Sequence, residues 1–292
     1  MLPHAGARYR LVSPSAPPTI PATMKPRSLV VFASLFTAAA FAQDAKPLKV
    51  MLITGGCCHD YKAQTEILKT GLEERINVTV TQVHVDDKST KPALPIYGNP
   101  DYAAGYDLVI HDECAADIKD VEVVKGVLKP HDEGTPAVAL HCAMHSYRTG
   151  DFRKKVDTLG GDGSLWFEFL GLQSSGHGAQ KPIDISFTDK EHPATKGLAN
   201  WTTINEELYN NHRLFDAAKP LANGKQGDQE AIVVWTNLHG PKKTRVFATT
   251  IGHNNATVED DRYLDMVAQG LLWAAGKLGD DGKPVAGYGP KK

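Results

Sequence analysis

Leu48-Lys49-Val50-Met51-Leu52-Ile53-Thr54, closed by Gly55-Gly56, is apolar at almost every position. A strand with one wet face alternates apolar and polar side chains. An unbroken run with β-branched members fits a strand covered on both faces, as in a parallel sheet flanked by helices. The residues that follow keep the pattern. Ile67, Leu68 and Leu72 recur at helical spacing between 63 and 75, and residues 78–85 (VTVTQVHV) alternate as a strand. Residues 108–110 read as a strand, 121–128 as a helix and 137–140 (AVAL) as another buried strand. Strands alternating with helices at this spacing predict βαβ units, hence an α/β fold with a doubly wound, mostly parallel sheet in a single domain.

Further out, strands are expected at 183–187, 232–235 and 245–251. The final helix is marked by Leu264, Val267, Ala268, Leu271, Leu272 and Ala275 on one face. Asp260 and Asp261 favour its N-terminus, and Gly276 or Gly279 stops it. Residues 279–292, rich in Gly, Pro and Lys, are expected to form a loose tail. Residues 86–105 and 145–181 break the alternation and read as long loops, which in open α/β sheets carry function.

The 292 residues are 41% hydrophobic and 23% charged, which excludes wholesale disorder and a polytopic membrane protein. One apolar run stands apart. The basic segment Met24-Lys25-Pro26-Arg27 precedes residues 29–42 (LVVFASLFTAAAFA), which end in the small-x-small triplet Ala40-Phe41-Ala42. That is the layout of a secretory signal peptide over residues 24–42, too short to span a bilayer. Residues 1–23 then read as an upstream extension, with translation starting at Met24. The protein is expected to be periplasmic or secreted, with no membrane span after cleavage. With 32 Lys+Arg against 34 Asp+Glu the chain is already net acidic. Cleavage removes Arg8, Arg10, Lys25 and Arg27 and no acid, so nucleic-acid binding is excluded. Four cysteines (Cys57, Cys58, Cys114, Cys142) are too few for a disulfide scaffold, and adjacent Cys57 and Cys58 pair only through a strained ring.

The histidines carry the chemical information. His59 follows the first strand, His111 ends the third, His141 ends the fourth with His145 close behind, and His253 follows the last. In a parallel sheet these strand ends share one edge, so His59, His111, His141 and His253 are expected to converge there. His177 lies in the glycine-flanked SSGHGAQ, and Glu206-Glu207 add carboxylates from a segment that reads as loop. Convergent imidazoles hold zinc or a similar cation, or act as acid and base near neutral pH; single histidines at strand ends are more often structural. No HExxH pair occurs, so a metal site has to be assembled from distant segments. No GxGxxG or GxxxxGK[ST] occurs either, and no nucleotide cofactor is expected. Cys142 occupies the position of a nucleophile on a strand-to-helix elbow, but the flanking glycines are missing and buried packing is the favoured role. Trp166, Phe167 and Phe169 could stack on a sugar face, although such a run more often belongs to a core.

Five pieces, GGCCHDY, LHCAMHSYR, FEFLGLQSSGHGAQ, HPATKGL with EELY, and RVFATTIGHNN, occur in an order that resembles the ThuA-like (trehalose-utilisation) proteins over residues 47–278. The resemblance implies a flavodoxin-like sheet of the class I glutamine amidotransferase kind, without that enzyme's catalytic cysteine motif. It implies a disaccharide or glycoside substrate, with 3-keto-glycosides made by a partner oxidoreductase as the form acted on. A ketone at C3 acidifies the proton at C2, so a base can remove it while a cation or imidazolium stabilises the enediolate. Isomerisation, elimination and hydrolysis all start from that step. Carried onto this chain, the resemblance gives Glu207 as base, Tyr209 as hydroxyl donor, and His59 with Asp60 orienting it or its water. His141, His177 and His253 are the ligands of a divalent metal, zinc or manganese, if one is used. His145, Arg148, Trp166 and Asn254 are expected against the sugar. Two other functions compete: non-catalytic carbohydrate binding on the same fold, and a Cys142-dependent amidase or hydrolase.

Overall fold

The computed structural model describes residues 45–156 and 158–291. The signal peptide and the upstream extension lie outside the described residues. Strand β1 (Leu48–Gly56) leads into helix α1 (Tyr61–Arg75), followed by β2 (Val78–Val85), β3 (Leu108–Cys114), α2 (Val121–Asp132) and β4 (Ala137–Leu140). A 3₁₀ turn, His141–His145, precedes α3 (Leu165–Leu170) and β5 (Leu172–His177). Next come β6 (Lys181–Phe187), β7 (Trp201–Glu206), β8 (Tyr209–Leu214), β9 (Ala218–Gln226), β10 (Gln229–His239) and β11 (Thr244–Thr249). Helices α4 (Asn255–Val258) and α5 (Asp261–Ala274) close the order.

Nine strands form one sheet in the order β2-β1-β3-β4-β11-β10-β9-β6-β7. The first five pair in parallel, as the apolar runs predict. From β11 onward every pairing is antiparallel, so the sheet is mixed. Strands β5 and β8 make a separate antiparallel pair.

Strand β1 shows why the fold is doubly wound. Val50 and Leu52 pack into the layer holding Leu68 and Leu72 of α1 and Leu264, Val267 and Leu271 of α5. Met51 and Ile53 point the other way, into the layer of Val124 and Val127 from α2 and Phe169 from α3. Successive side chains face opposite sides of a strand, so an all-apolar strand feeds two cores. Helix α5 starts where the sequence places it, with the Asp260 side chain accepting from the Arg262 N–H. A cap of this kind contributes about 1 kcal/mol.

Residues 279–291 differ from the loose tail that composition suggests. Leu278 bridges Pro284, Val285 N–H donates to Lys277 O, and Asn77 N–H donates to Tyr288 O. Lys291 Nζ donates to Val78 O. Backbone groups left free where β2 begins are paired by this segment, a demand composition does not show.

Candidate functional site

Strands β1, β4 and β11 run parallel, and the residues after their carboxyl ends meet. Gly56 has φ 102°, and a Cβ there would collide with the Cys114 carbonyl at the end of β3. Only glycine lets the chain pass at that point, delivering His59 to the shared edge. His141 follows β4 directly in the left-handed region, φ 37°. Non-glycine residues adopt that region at a cost, and such strain gathers at functional sites. The strained elbow thus presents an imidazole rather than the thiol of Cys142. His253 follows β11 through Gly252. A ligating atom from each of His59, His141 and His253 lies within 4.8 Å of the others.

Two backbone carbonyls set the tautomers. His141 Nδ1 lies 2.6 Å from Thr250 O and His59 Nδ1 lies 3.4 Å from His253 O. A carbonyl only accepts, so each Nδ1 carries the hydrogen and each Nε2 offers a lone pair. His59 Nε2 is buried and has no partner. Gln180 Nε2 donates to His253 Nε2 at 2.8 Å, which turns His253 Nδ1 toward Glu207.

Glu207 is the hub. Its Oε2 lies 3.5 Å from His141 Nε2 and 3.5 Å from His177 Nε2, and its Oε1 lies 3.2 Å from His253 Nδ1. The last contact is close but poorly aligned, and a small ring rotation would close it. Burial alone would raise the Glu207 carboxyl. Hydrogen bonds from His141 and His253, with the charges of His141 and His177, outweigh burial and hold it well below the usual carboxylate range. That balance requires a proton on His141 Nε2, because Nδ1–H already serves Thr250. The same carboxylate, as hydrogen-bond partner and then as charge, raises His253 against the effect of burial. His59 moves oppositely, down to about 3, through burial and the neighbouring His141 and His253. Neutral His59 and His141 would leave two lone pairs beside a carboxylate, so the site calls for a positive charge.

Tyr209 lies behind this cluster, its hydroxyl 3.3 Å from His141 Nε2 and its ring stacked on His145 at 4.3 Å. Burial first, then nearby negative groups, raises the Tyr209 hydroxyl well above its ordinary value, so it stays a donor. A cleft of about 310 Å³, lined by Gly56, Cys58, His59, Asp60, Tyr61 and His84 among others, opens beside His59.

The structure therefore gathers His59, His141, His253, Glu207 and Tyr209, with His177 at the more open side. Several expectations change. His59 replaces His177 in the three-nitrogen group, since His177 reaches only Glu207. His111 does not converge: β3 continues through HDEC, and His111 is buried between Glu113 (2.8 Å) and His131 (3.0 Å). Trp166 is 1% exposed and donates to Ala143 O, so it packs the core and offers no face to a sugar. Asp60 caps α1 by accepting from Ala63 N–H and accepts from Asn255, rather than orienting His59. Asn254 donates to Glu206 and to Asn205 O, and so fixes the loop. Arg148 stacks on Phe152 at 3.8 Å. His145 is buried against Ser174 and Tyr209 and supports Tyr209 rather than a ligand. Cys142 is 5% exposed, and its hydrogen bond to Cys114, then burial, raises its thiol well above the ordinary value, which removes the thiol nucleophile.

Two residues went unread in the sequence. Gln180 sets the His253 ring, and a glutamine before a strand carries no distinguishing signal. Glu206 accepts from the backbone N–H groups of Gly252, His253 and Asn254 at 2.9–3.3 Å, so it anchors the loop that Glu207 addresses chemically.

Comparison with known proteins agrees with this architecture. The family model ThuA, described as trehalose utilisation, matches residues 49–274. A ThuA-like protein from Parabacteroides merdae is similar in structure with TM-score 0.60 at 21% identity, covering 84% of this chain and 98% of its own. Another, from Bacteroides uniformis, gives TM-score 0.55 at 13% identity over 81% of this chain and 94% of its own. A GMP synthase protein from Thermoplasma acidophilum has TM-score 0.49 at 11% identity, covering 80% and 96%. No curated protein matches the sequence.

Proposed function

The chain belongs to the ThuA, trehalose-utilisation, family, and on that premise we propose that it processes a carbohydrate at the His59–His141–His253–Glu207 cluster. The observation that carries this reading is the pair of Nε2 lone pairs, on His59 and His141, that backbone carbonyls turn toward each other beside the Glu207 carboxylate. Ligating imidazoles characteristically donate their other nitrogen to such a partner. The donor set suits zinc or manganese: neutral nitrogens, one carboxylate at hand, and a buried unpartnered Nε2.

A divalent cation bound there would place positive charge beside the ketone oxygen of a 3-keto-glycoside, the substrate supplied by a partner oxidoreductase. Glu207 accepts the proton from C2. Held so low, it is a weak base, so most of the driving force comes from acidification of the C–H bond beside the ketone. Its advantage is that it is always ionised. His177, 3.5 Å from Glu207 Oε2 and with its side chain 41% exposed, takes the proton onward toward solvent. Tyr209, kept protonated by burial, donates to the substrate or to His141. Isomerisation, elimination and hydrolysis share this first step. The action takes place outside the cytoplasm, supported by the signal-peptide pattern at 24–42, and N-terminal sequencing of the exported protein should begin near Gln43.

Glu207→Gln is nearly isosteric and tests the reading. Turnover of a 3-keto-glycoside is expected to fall by about 10²-fold or more while thermal stability stays close to wild type. Unchanged turnover removes Glu207 from the chemistry. Saturable sugar binding with no turnover in the wild type favours a binding protein instead.

A further inference from the structure

The sulfur atoms play no part in the reaction above, yet they are gathered beside it. Cys57 and Cys58 are joined by a disulfide at the end of β1. Cys114, at the end of β3, is a buried free thiol whose Sγ lies 3.4 Å from Cys57 Sγ. Cys57, Cys58 and Cys114 each place a sulfur within 4.8 Å of the others. Cys142, the remaining free thiol, packs with Cys114 and Tyr61. The Cys142 hydrogen bond, with the Arg148 charge in support, holds the Cys114 thiol below its ordinary value against burial. Cys58 is exposed, lines the cleft beside His59, and has φ 84°, a conformation non-glycine residues rarely adopt.

We propose that these three sulfurs form a thiol–disulfide exchange site that opens into the cleft. The Cys114 thiolate attacks Cys57 Sγ, the Cys57–Cys114 bond forms, and the Cys57–Cys58 bond breaks with Cys58 leaving as thiolate. The proton given up by Cys114 ends on Cys58. One S–S bond replaces another, so no oxidant or reductant is consumed. The geometry suits the step at both ends. Gly56 is the register partner of Cys114, so the new bond links strand ends that already lie side by side. Opening the two-residue ring frees Cys58 from its left-handed conformation and places a thiol in the cleft, one residue before His59. A small external disulfide could then take it up as a mixed disulfide.

The test uses the folded, unreduced protein and iodoacetamide, followed by acid quench, proteolysis and mass mapping of the peptides. The expected product carries the acetamide group on Cys58 together with a Cys57–Cys114 cross-link. Cys114→Ser is expected to abolish both, whereas Cys142→Ser leaves both in place. The wild-type map alone decides the matter if either variant folds poorly. Alkylated Cys114 with Cys57–Cys58 still joined, alkylated Cys58 without the Cys114 cross-link, or no alkylation at all would each overturn the proposal.

Discussion

At the scale of single residues, the site depends on which nitrogen carries a hydrogen. Thr250 O and His253 O fix His141 and His59, and no sequence pattern predicts that, because the acceptors are main-chain atoms brought by β11. What could be read was the placement of His59, His141 and His253 after parallel strands. His111 was misplaced because the apolar run LVI suggests a strand end, while the strand continues through buried polar residues paired with one another. His59 also gives a pH prediction. Its folded value, about 3, lies below the ordinary 6.5. Between those values the unfolded chain binds a proton that the folded chain refuses, so stability rises with pH across that window and falls on acidification. In chelator-treated protein, His59→Gln is expected to flatten the pH dependence of urea unfolding by up to about 1.4 kcal/mol per pH unit. An unaltered slope would show that His59 is not buried neutral.

At the scale of elements, the parallel half was legible and the antiparallel half was not. Strands β1, β3 and β4 are buried on both faces and announce themselves as apolar runs. Strand β8 is YNNHRL, and β9 contains Pro220 and Gly224, so neither shows a continuous or cleanly alternating apolar pattern. Their pairing comes from neighbours rather than from propensity. That is why Glu206 and Glu207 read as loop carboxylates instead of the turn between β7 and β8. Helix α5 was clear from its stripe, but the role of Gly270 was hidden. A Cβ there would overlap the Phe247 ring of β11. Gly270→Ala gains about 1 kcal/mol of helix propensity, yet overpacking costs about 1–3 kcal/mol. A net fall in melting temperature is expected. A rise would mean that Phe247 moves aside without loss.

At the scale of the whole molecule, the site lies where the parallel half of the sheet ends, and the C-terminal segment holds the opposite end of β2. Removing residues 277–292 would unpair Asn77 and Val78 and expose apolar surface under the half-buried Tyr288. The truncated protein is expected to melt at lower temperature, by calorimetry, with its metal content per folded chain unchanged. An unchanged melting temperature would return the segment to the loose tail its composition suggests. The central claim concerns the histidines, and elemental analysis of tag-free protein tests it most directly, with wild type and His141→Ala loaded and washed identically. About one zinc or manganese ion per wild-type chain, and its loss in His141→Ala, is the predicted result. Equal metal in the two proteins, or none in either, would contradict the account.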